Sequence, residues 1–502
     1  MLSRTVLTFS NSQWDPNTLF ISKVDEVYVK IEAESPIKQE LSDFFTFTVP
    51  NAKFTPAYKN RMWDGKIRLF SPGTGQIYVG LLSYVKKFCE QNNIEYTIEK
   101  DVEDDRNIVL SDVRNFIRSL KPKTKGKSLK VRDYQIQAVQ HAISRNRALL
   151  VSPTASGKSL VIYSLVRYYK MMGLKTLILV PTTSLVEQMY SDFKDYGWDT
   201  DNHCQKIYQG YDKNVSKDVV ISTWQSIYKM KKEYFKDFGC VIGDEAHLFK
   251  SKSLTNIMTK LVDCKYRFGL TGTLDGTQTH RLVLEGLFGE VEQVTTTKAL
   301  MDDDTIAKLA IDCIVLKHND DISKQCKDFN YIDEINFLVQ NKKRNQFIYN
   351  LCKTLKGNTL VLYQLVEKHG EVLNEMMKDL DKEVHFVHGG VGTDEREQIR
   401  ALAEEKDKIL ILASYGVFST GINIRNLHNV VFASPYKSRI KVLQSIGRGL
   451  RKSEQKDAVK LYDIADDLTY KNRKNFTLLH FQERINIYNE EEFNYKVNTL
   501  NL

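Results

Sequence analysis

Two rhythms of hydrophobic positions run along the chain. From Val131 onward, apolar runs of strand length ("RALLVS", "TLILVPT", "DVVIST", "GCVIGDE", "YRFGLTGT") alternate with stretches of helical spacing. After residue 300 the rhythm starts again in "LAIDCIVL", "NTLVLYQ", "EVHFVHGG", "KILILASYG", "NVVFASP" and "VKLYDIAD". Strands that are apolar along their whole length are covered on both faces, which predicts parallel sheets with helical crossovers. Two α/β domains in tandem follow, over 131–300 and 301–502; their motifs differ, so any duplication is one of fold. Residues 1–115 read differently. Short alternating stretches ("EVYVKIEA", "FFTFTV") and a helical "GLLSYVKKFCEQNN" predict a small α+β domain. Between the two regions, "SLKPKTKGKSLKVR" carries six basic residues with Pro122 and Gly126 and no apolar period. It reads as a basic linker over 116–130, a solvated tether in preference to a specific phosphate contact.

Composition narrows the class. At 502 residues the chain exceeds one core, and 42% apolar with 27% charged residues is the balance of a soluble globular protein. No apolar run reaches the roughly 18–20 residues that span a bilayer, and the first residues lack an apolar signal core. A cytoplasmic protein with no membrane partner is expected. Seven scattered cysteines without a C-x-x-C pair predict reduced thiols and no zinc or iron–sulfur site. The formal charge of +9 leans only weakly toward a polyanion.

Chemistry is concentrated in three places. "SPTASGKS" (152–159) departs from a phosphate loop, G-x-x-x-x-G-K-[ST], only in its first residue. It follows the apolar "ALLV" and opens the helical "LVIYSLVRYY", the strand–turn–helix context that such a loop requires. There, backbone N–H groups and a helix N-terminus form an anion cradle. Gly157 permits close approach, Lys158 supplies a cation and Ser159 a hydroxyl for Mg2+. Ser152 is tolerable provided its φ is negative. In "VIGDEAH", Asp244 and Glu245 end an apolar strand, the edge where open α/β sheets hold ligands. Asp244 suits the metal and Glu245 the attacking water. An exposed acidic turn is the alternative, weakened by the phosphate loop upstream. In "QSIGRGLRK", Arg448 and Arg451 share a helical face at i, i+3 and suit an arginine finger, the alternative being a basic surface helix.

The ordered set "VRDYQIQAV", "SPTASGKS", "VPTTSLVEQ", "STWQS", "DEAH", "LTGT", "TLVLYQ", "ASYGVFSTGINI", "QSIGRGLR" resembles the superfamily 2 helicases over about residues 131–452. That resemblance implies two tandem RecA-like domains, with ATP and Mg2+ as cofactors. It implies that Arg132 and Gln135 read adenine, and that Ser152, Pro153, Thr154, Ala155, Ser156, Gly157, Lys158 and Ser159 cradle the phosphates. Thr420, Gly421, Gln444, Arg448 and Arg451 would close the site from the second domain. Pro181, Thr182, Thr223 and Gln225 would contact the nucleic-acid backbone, ordinary strand-end capping being the alternative for the threonines. Thr271 and Thr273 would link ATP to the track. His247 is expected to couple domains in preference to binding metal, having no second ligand at metal spacing.

"FTPAYKNRMWDGKIRLF", "ASYGVFSTGI" and "EEFNYKVNTLNL" narrow the likeness to the UvsW family of phage recombination helicases, over nearly the whole chain. Members of that type unwind branched DNA, migrate Holliday junctions, regress forks and dissociate RNA–DNA hybrids. Branched or forked, single- and double-stranded DNA are the partners thus implied, for a protein expected to be monomeric. The residues add that Lys59, Arg61, Lys66 and Arg68, interleaved with Tyr58 and Trp63, suit phosphate contact and base stacking. The alternative is a buried Trp63 beside a hairpin turn at Asp64–Gly65. Rival functions are an RNA helicase, a restriction-type translocase, or a passive annealing protein with ATP as switch.

Overall fold

The protein is described by a computed structural model covering residues 17–50, 52–103, 105–421, 424–450 and 458–502. Its chain divides into two compact units, Met1–Val151 with Ser159–Val294, and Ser152–Lys158 with Thr295–Leu502.

In the first unit, the predicted apolar runs form a parallel sheet. Its strand order is Cys204–Ile207, Val219–Thr223, Lys175–Val180, Phe238–Asp244, Tyr266–Thr271, Arg147–Val151 and Val291–Gln293. Every neighbouring pair is parallel. All carboxyl ends therefore lie along one edge, and the loops that leave them carry the phosphate loop, the acidic pair and "TGT". Leu149, Leu177, Ile242 and Phe268 are fully buried, as two-sided coverage demands.

The N-terminal domain is a five-stranded mixed sheet in the order Phe70–Ser71, Gln76–Tyr78, Tyr28–Glu32, Thr18–Lys23, Glu95–Ile98, with helices Ser35–Phe44 and Leu82–Asn92. It is seated on the helix Gln278–Phe288, eight of whose eleven residues are buried. Leu282 of that helix belongs to the N-terminal core, whereas Leu284, Leu287 and Phe288 belong to the parallel-sheet core. A Cβ on Gly80 would lie 2.0 Å from the Glu285 carbonyl oxygen, so only glycine allows this approach. Tyr84 donates to the buried Glu285 carboxylate at 2.7 Å, and the Arg147 guanidinium meets Glu26 at 2.9 Å.

Two local expectations change. The basic stretch after residue 119 is no loose tether: Lys123–Thr124 and Lys127–Ser128 pair antiparallel. Asp195 receives hydrogen bonds from Thr124 Oγ1 at 3.0 Å and the Lys125 amide at 2.8 Å. Helix Leu110–Ser119 runs across residue 115 and buries Val113 and Ile117 in the parallel-sheet core. Nor is Asp64–Gly65 a hairpin turn. Lys66–Arg68 pairs with Thr46–Thr48, so the intervening residues make a longer excursion.

The second unit holds another all-parallel seven-stranded sheet. Its order is Glu383–Val387, Ile409–Ser414, Thr359–Tyr363, Asn429–Phe432, Ala458–Asp467, Lys308–Lys317 and Tyr495–Asn501. Wholly buried Asp466 accepts from Arg344 Nε at 2.8 Å and pairs with His318 at 3.1 Å. These partners satisfy a carboxylate that burial alone would penalise. All seven cysteines are buried and free, and burial pushes the Cys204, Cys264 and Cys352 thiols up to about 12. Among the described residues no helix is long and apolar enough to cross a membrane.

Burial alone would raise the Glu26 carboxyl, but the Lys23 hydrogen bond and the Arg147 charge outweigh it and hold it below its ordinary value. A depressed carboxyl stabilises above its unfolded pKa and loses that contribution as pH falls through the folded value. Glu26→Gln leaves the half-buried Arg147 without its counter-charge, a loss of roughly 3 kcal/mol at neutral pH, the low end for a broken buried pair. Thermal melts should show that gap, narrowing below about pH 4.5 as wild-type Glu26 protonates. A gap independent of pH would contradict the ion-pair account.

Candidate nucleotide-binding site

The phosphate loop leaves strand Arg147–Val151 and enters helix Lys158–Met171. Positive φ falls at Ala155 (68°) and Gly157 (83°) but not at Ser152, so the condition for a serine there is met. Ser152 does more than fit. Its hydroxyl donates to Ser156 Oγ at 2.7 Å, and Ser156 Oγ donates to the Pro153 carbonyl at 2.7 Å. Both serines are buried, at 4% and 1% exposure, so the pair braces the loop from within. Lys158 Nζ lies 3.2 Å from the Ser152 carbonyl oxygen and 3.4 Å from that of Pro153. Ser159 Oγ shares a 2.8 Å hydrogen bond with the Tyr196 hydroxyl. Burial pushes that phenol up to about 12 and keeps it protonated, able to donate.

Two strands away, Asp244 ends its strand at 9% exposure. Glu245 turns sharply into the left-handed region at φ 52°, and its amide donates to Asp244 Oδ1 at 3.0 Å. That turn aims two consecutive carboxylates differently. His247 Nδ1 lies 3.3 Å from Glu245 Oε2 and 3.0 Å from Thr271 Oγ1. Thr271 Oγ1 donates onward to the Thr273 carbonyl at 3.0 Å, so it accepts from His247, which fixes the Nδ1–H tautomer. His247, Thr271 and Thr273 thus form one buried hydrogen-bonded chain across neighbouring strands, and Glu245 Oε2 stands beside its His247 end at 3.3 Å.

Sequence reasoning missed the other half of that chain. His280, at 4% exposure, donates from Nε2 to the His247 carbonyl at 2.9 Å. Its Nδ1 lies 2.8 Å from Asp275 Oδ1. Thr277 caps the helix by accepting from the His280 amide at 3.3 Å. "DGTQTH" carries a capping signal, with Thr277 three residues before His280, but nothing that points His280 at the acidic loop.

Other predicted residues fall as follows. Gln135 Oε1 accepts from the Arg132 amide at 3.0 Å and caps helix Asp133–Arg145. The Thr182 hydroxyl caps helix Thr183–Asp195, the work given above as the alternative, whereas the Thr223 hydroxyl makes no cap bond to the backbone and shares a 2.8 Å bond with the Ser226 hydroxyl. Gln225 donates to the Pro181 carbonyl at 3.2 Å and ties the two loops together. In the second unit, Gln444 and Arg448 are half-buried on helix Arg439–Gly449. Thr420 and Gly421 end helix Tyr415–Gly421, the Thr420 side chain outside the described set, and Arg451 lies outside the described residues. Trp63 is half-buried and donates to the Lys66 carbonyl at 2.8 Å, as a structural tryptophan does. Lys59, Arg61, Lys66 and Arg68 are exposed, Arg68 being ion-paired with Asp64. Among the described residues no three His, Cys, Asp or Glu side chains group as a metal site.

Removing the Ser152 brace by Ser152→Ala should cost about 1 kcal/mol, a few-fold loss in ATP affinity with little change in fold. Titration with a fluorescent nucleotide checks this; unchanged affinity would show that the loop holds its shape without the hydroxyl pair.

Family models match three consecutive stretches: "DNA helicase UvsW, N-terminal" over residues 20–101, "Type III restriction enzyme, res subunit" over 128–276, and "Helicase conserved C-terminal domain" over 342–453. The ATP-dependent DNA helicase uvsW of Enterobacteria phage T4 is 35% identical over 496 residues, covering 95% of this chain and 98% of the relative. The crystal structure of T4 UvsW aligns with a TM-score of 0.53 at 32% identity, over 96% of this chain and 99% of that one. More distantly, the DNA 3'-5' translocase XPB2 of Sulfurisphaera tokodaii is 26% identical over 72% of this chain and 86% of its own. The protein is an ATP-dependent DNA helicase of superfamily 2 and belongs to the UvsW family.

Proposed function

We propose that the protein spends ATP to move along DNA and remodel branched substrates: forks, four-way junctions and RNA–DNA hybrids. The observation that carries this reading is a structural continuity. One buried hydrogen-bonded chain joins His247, Thr271 and Thr273, Glu245 lies against its His247 end at 3.3 Å, and His280 ties it to the helix on which the N-terminal domain is seated. A nucleotide-dependent shift at Glu245 would therefore be felt by both the DNA-facing loops and the extra domain.

In the proposed cycle, the loop amides and Lys158 hold the ATP phosphates, and Arg132 with Gln135 holds adenine. Ser159 and Asp244 would hold Mg2+, offering a hydroxyl and a carboxylate, hard oxygen donors of the kind that ion takes, Asp244 through the ion's water shell. When bound, Mg2+ would neutralise charge on the transferring phosphoryl group. Tyr196 orients the Ser159 hydroxyl. Glu245, held by His247, orients the attacking water and receives its proton. Arg448 and Arg451 would stabilise the γ-phosphate in the transition state, with Gln444, Thr420 and Gly421 beside them. Pro181, Thr182, Thr223 and Gln225 would follow the sugar-phosphate backbone, which suits a motor indifferent to sequence.

Processing of a substrate panel tests the reading: tails of each polarity, a fork, a four-way junction and an RNA–DNA hybrid, each with and without ATP. Preferential turnover of the branched members supports it, and equal activity on RNA duplexes would favour an RNA helicase. Lys158→Ala should abolish hydrolysis and unwinding while most DNA binding remains. Arg448→Ala should bind ATP normally yet hydrolyse it about 10³-fold more slowly, as arginine-finger loss does. Wild-type turnover in that variant would leave the finger to Arg451.

A further inference from the structure

We infer that the excursion between strands Thr46–Thr48 and Lys66–Arg68 is the strand-separating wedge, and that Phe54 and Met62 stack on bases opened at a DNA branch point. This rests on the branched-DNA reading above and names the element that would act there.

The excursion is closed at its base. The Val49 amide donates to the Gly65 carbonyl at 2.8 Å, and the Leu69 amide to the Phe45 carbonyl at 3.0 Å. Thr55 caps the short helix Pro56–Lys59, and the Trp63 indole is tied to the Lys66 carbonyl. A loop built this firmly would ordinarily bury its apolar residues. Instead Met62 is 80% exposed, Phe54 64% and Tyr58 41%. Large apolar groups held rigidly in water by a folded clip call for an apolar partner.

The surroundings say which partner. Lys53, Lys59 and Arg61 stand beside these side chains, and among the described residues none of the three is ion-paired with a carboxylate. The one acidic residue of the excursion, Asp64, is paired with Arg68. Lys53 Nζ sits 5.3 Å from the Phe54 ring centroid, and Lys53, Tyr58, Lys59, Arg61, Met62 and Trp63 line one concavity together with Asp64, whose carboxylate is taken up by Arg68. Apolar or aromatic faces ringed by uncompensated cations fit an unstacked base flanked by its phosphates. A protein partner would bring carboxylates or its own apolar groups to this ring, and DNA brings phosphate and π-faces together. Anchorage matches the role. A wedge must resist the duplex while the motor advances, and this domain is locked to the first parallel-sheet domain by the half-buried Glu26–Arg147 pair and the Gly80 contact.

The test uses the full-length chain and a fork carrying 2-aminopurine, an adenine analogue quenched by stacking, at the junction base pair. Without ATP, wild-type protein should change its fluorescence on binding, and Phe54→Ala/Met62→Ala should not. With ATP, the double variant should unwind the fork about tenfold more slowly, keeping its melting temperature and its ATPase stimulation by single-stranded DNA. Phe54→Trp should restore activity. If wild-type protein processes forks and the double variant does so equally well, the wedge lies elsewhere and the branched-DNA reading stands. If wild-type protein leaves forks untouched while hydrolysing ATP on single strands, that reading fails and takes the wedge with it.

Discussion

Helix Gln278–Phe288 has almost no solvent face, and the first unit is organised around that constraint. Of its residues only Gln278 and Arg281 face solvent, so its remaining faces must be covered. Here one flank carries the N-terminal sheet through Leu282, Gly80 and Tyr84, and the opposite flank lies on the parallel sheet through Leu284, Leu287 and Phe288. Its one buried carboxylate, Glu285, accepts from the Tyr84 hydroxyl, from Arg281 Nε at 3.1 Å and from the Val291 amide at 3.1 Å. The N-terminal domain is therefore built into the motor domain and shares a structural helix with it. Its first turn, at His280, reaches the acidic loop.

Electrostatics at that loop follow from geometry. Parallel strands bring their carboxyl ends to one edge, so Asp244 and Thr271 end neighbouring strands. The left-handed residue at Glu245 then separates two adjacent carboxylates in direction and leaves each its own partners. Such a backbone costs about 1 kcal/mol in a non-glycine residue and persists where surrounding structure imposes it. His247 supplies that imposition, held by Thr271 on its ring and by His280 at its carbonyl.

Much of this was legible beforehand, for identifiable reasons. Strands buried on both faces write themselves as continuous apolar runs, and each of the eleven runs singled out became a strand of a parallel sheet. The strands that escaped notice, Cys204–Ile207, Val291–Gln293 and Tyr495–Asn501, lie at sheet edges. Tyr495–Asn501 shows why: most of its residues are exposed, so no apolar run marks it. The phosphate loop and the acidic pair were readable because their chemistry constrains consecutive residues. His280 was not, since its partner lies 33 positions away and only the fold brings them together. The Ser152–Ser156 brace was hidden for a different reason: a motif records which residue is tolerated, not which bond it makes. Phe54 and Met62 were likewise unmarked, because an exposed apolar residue looks like a buried one until the surface is known.

The account stands or falls on whether the buried chain from His247 to Thr273 carries DNA binding to hydrolysis. Thr271→Val removes one hydroxyl from it at nearly constant volume. Steady-state ATPase measured with and without single-stranded DNA, at saturating ATP, reads the consequence directly. The account predicts that the variant binds ATP normally and retains its basal rate, while stimulation by DNA falls about tenfold, the loss of one buried hydrogen-bonded link. Full stimulation in a stable, DNA-binding Thr271→Val protein would contradict it.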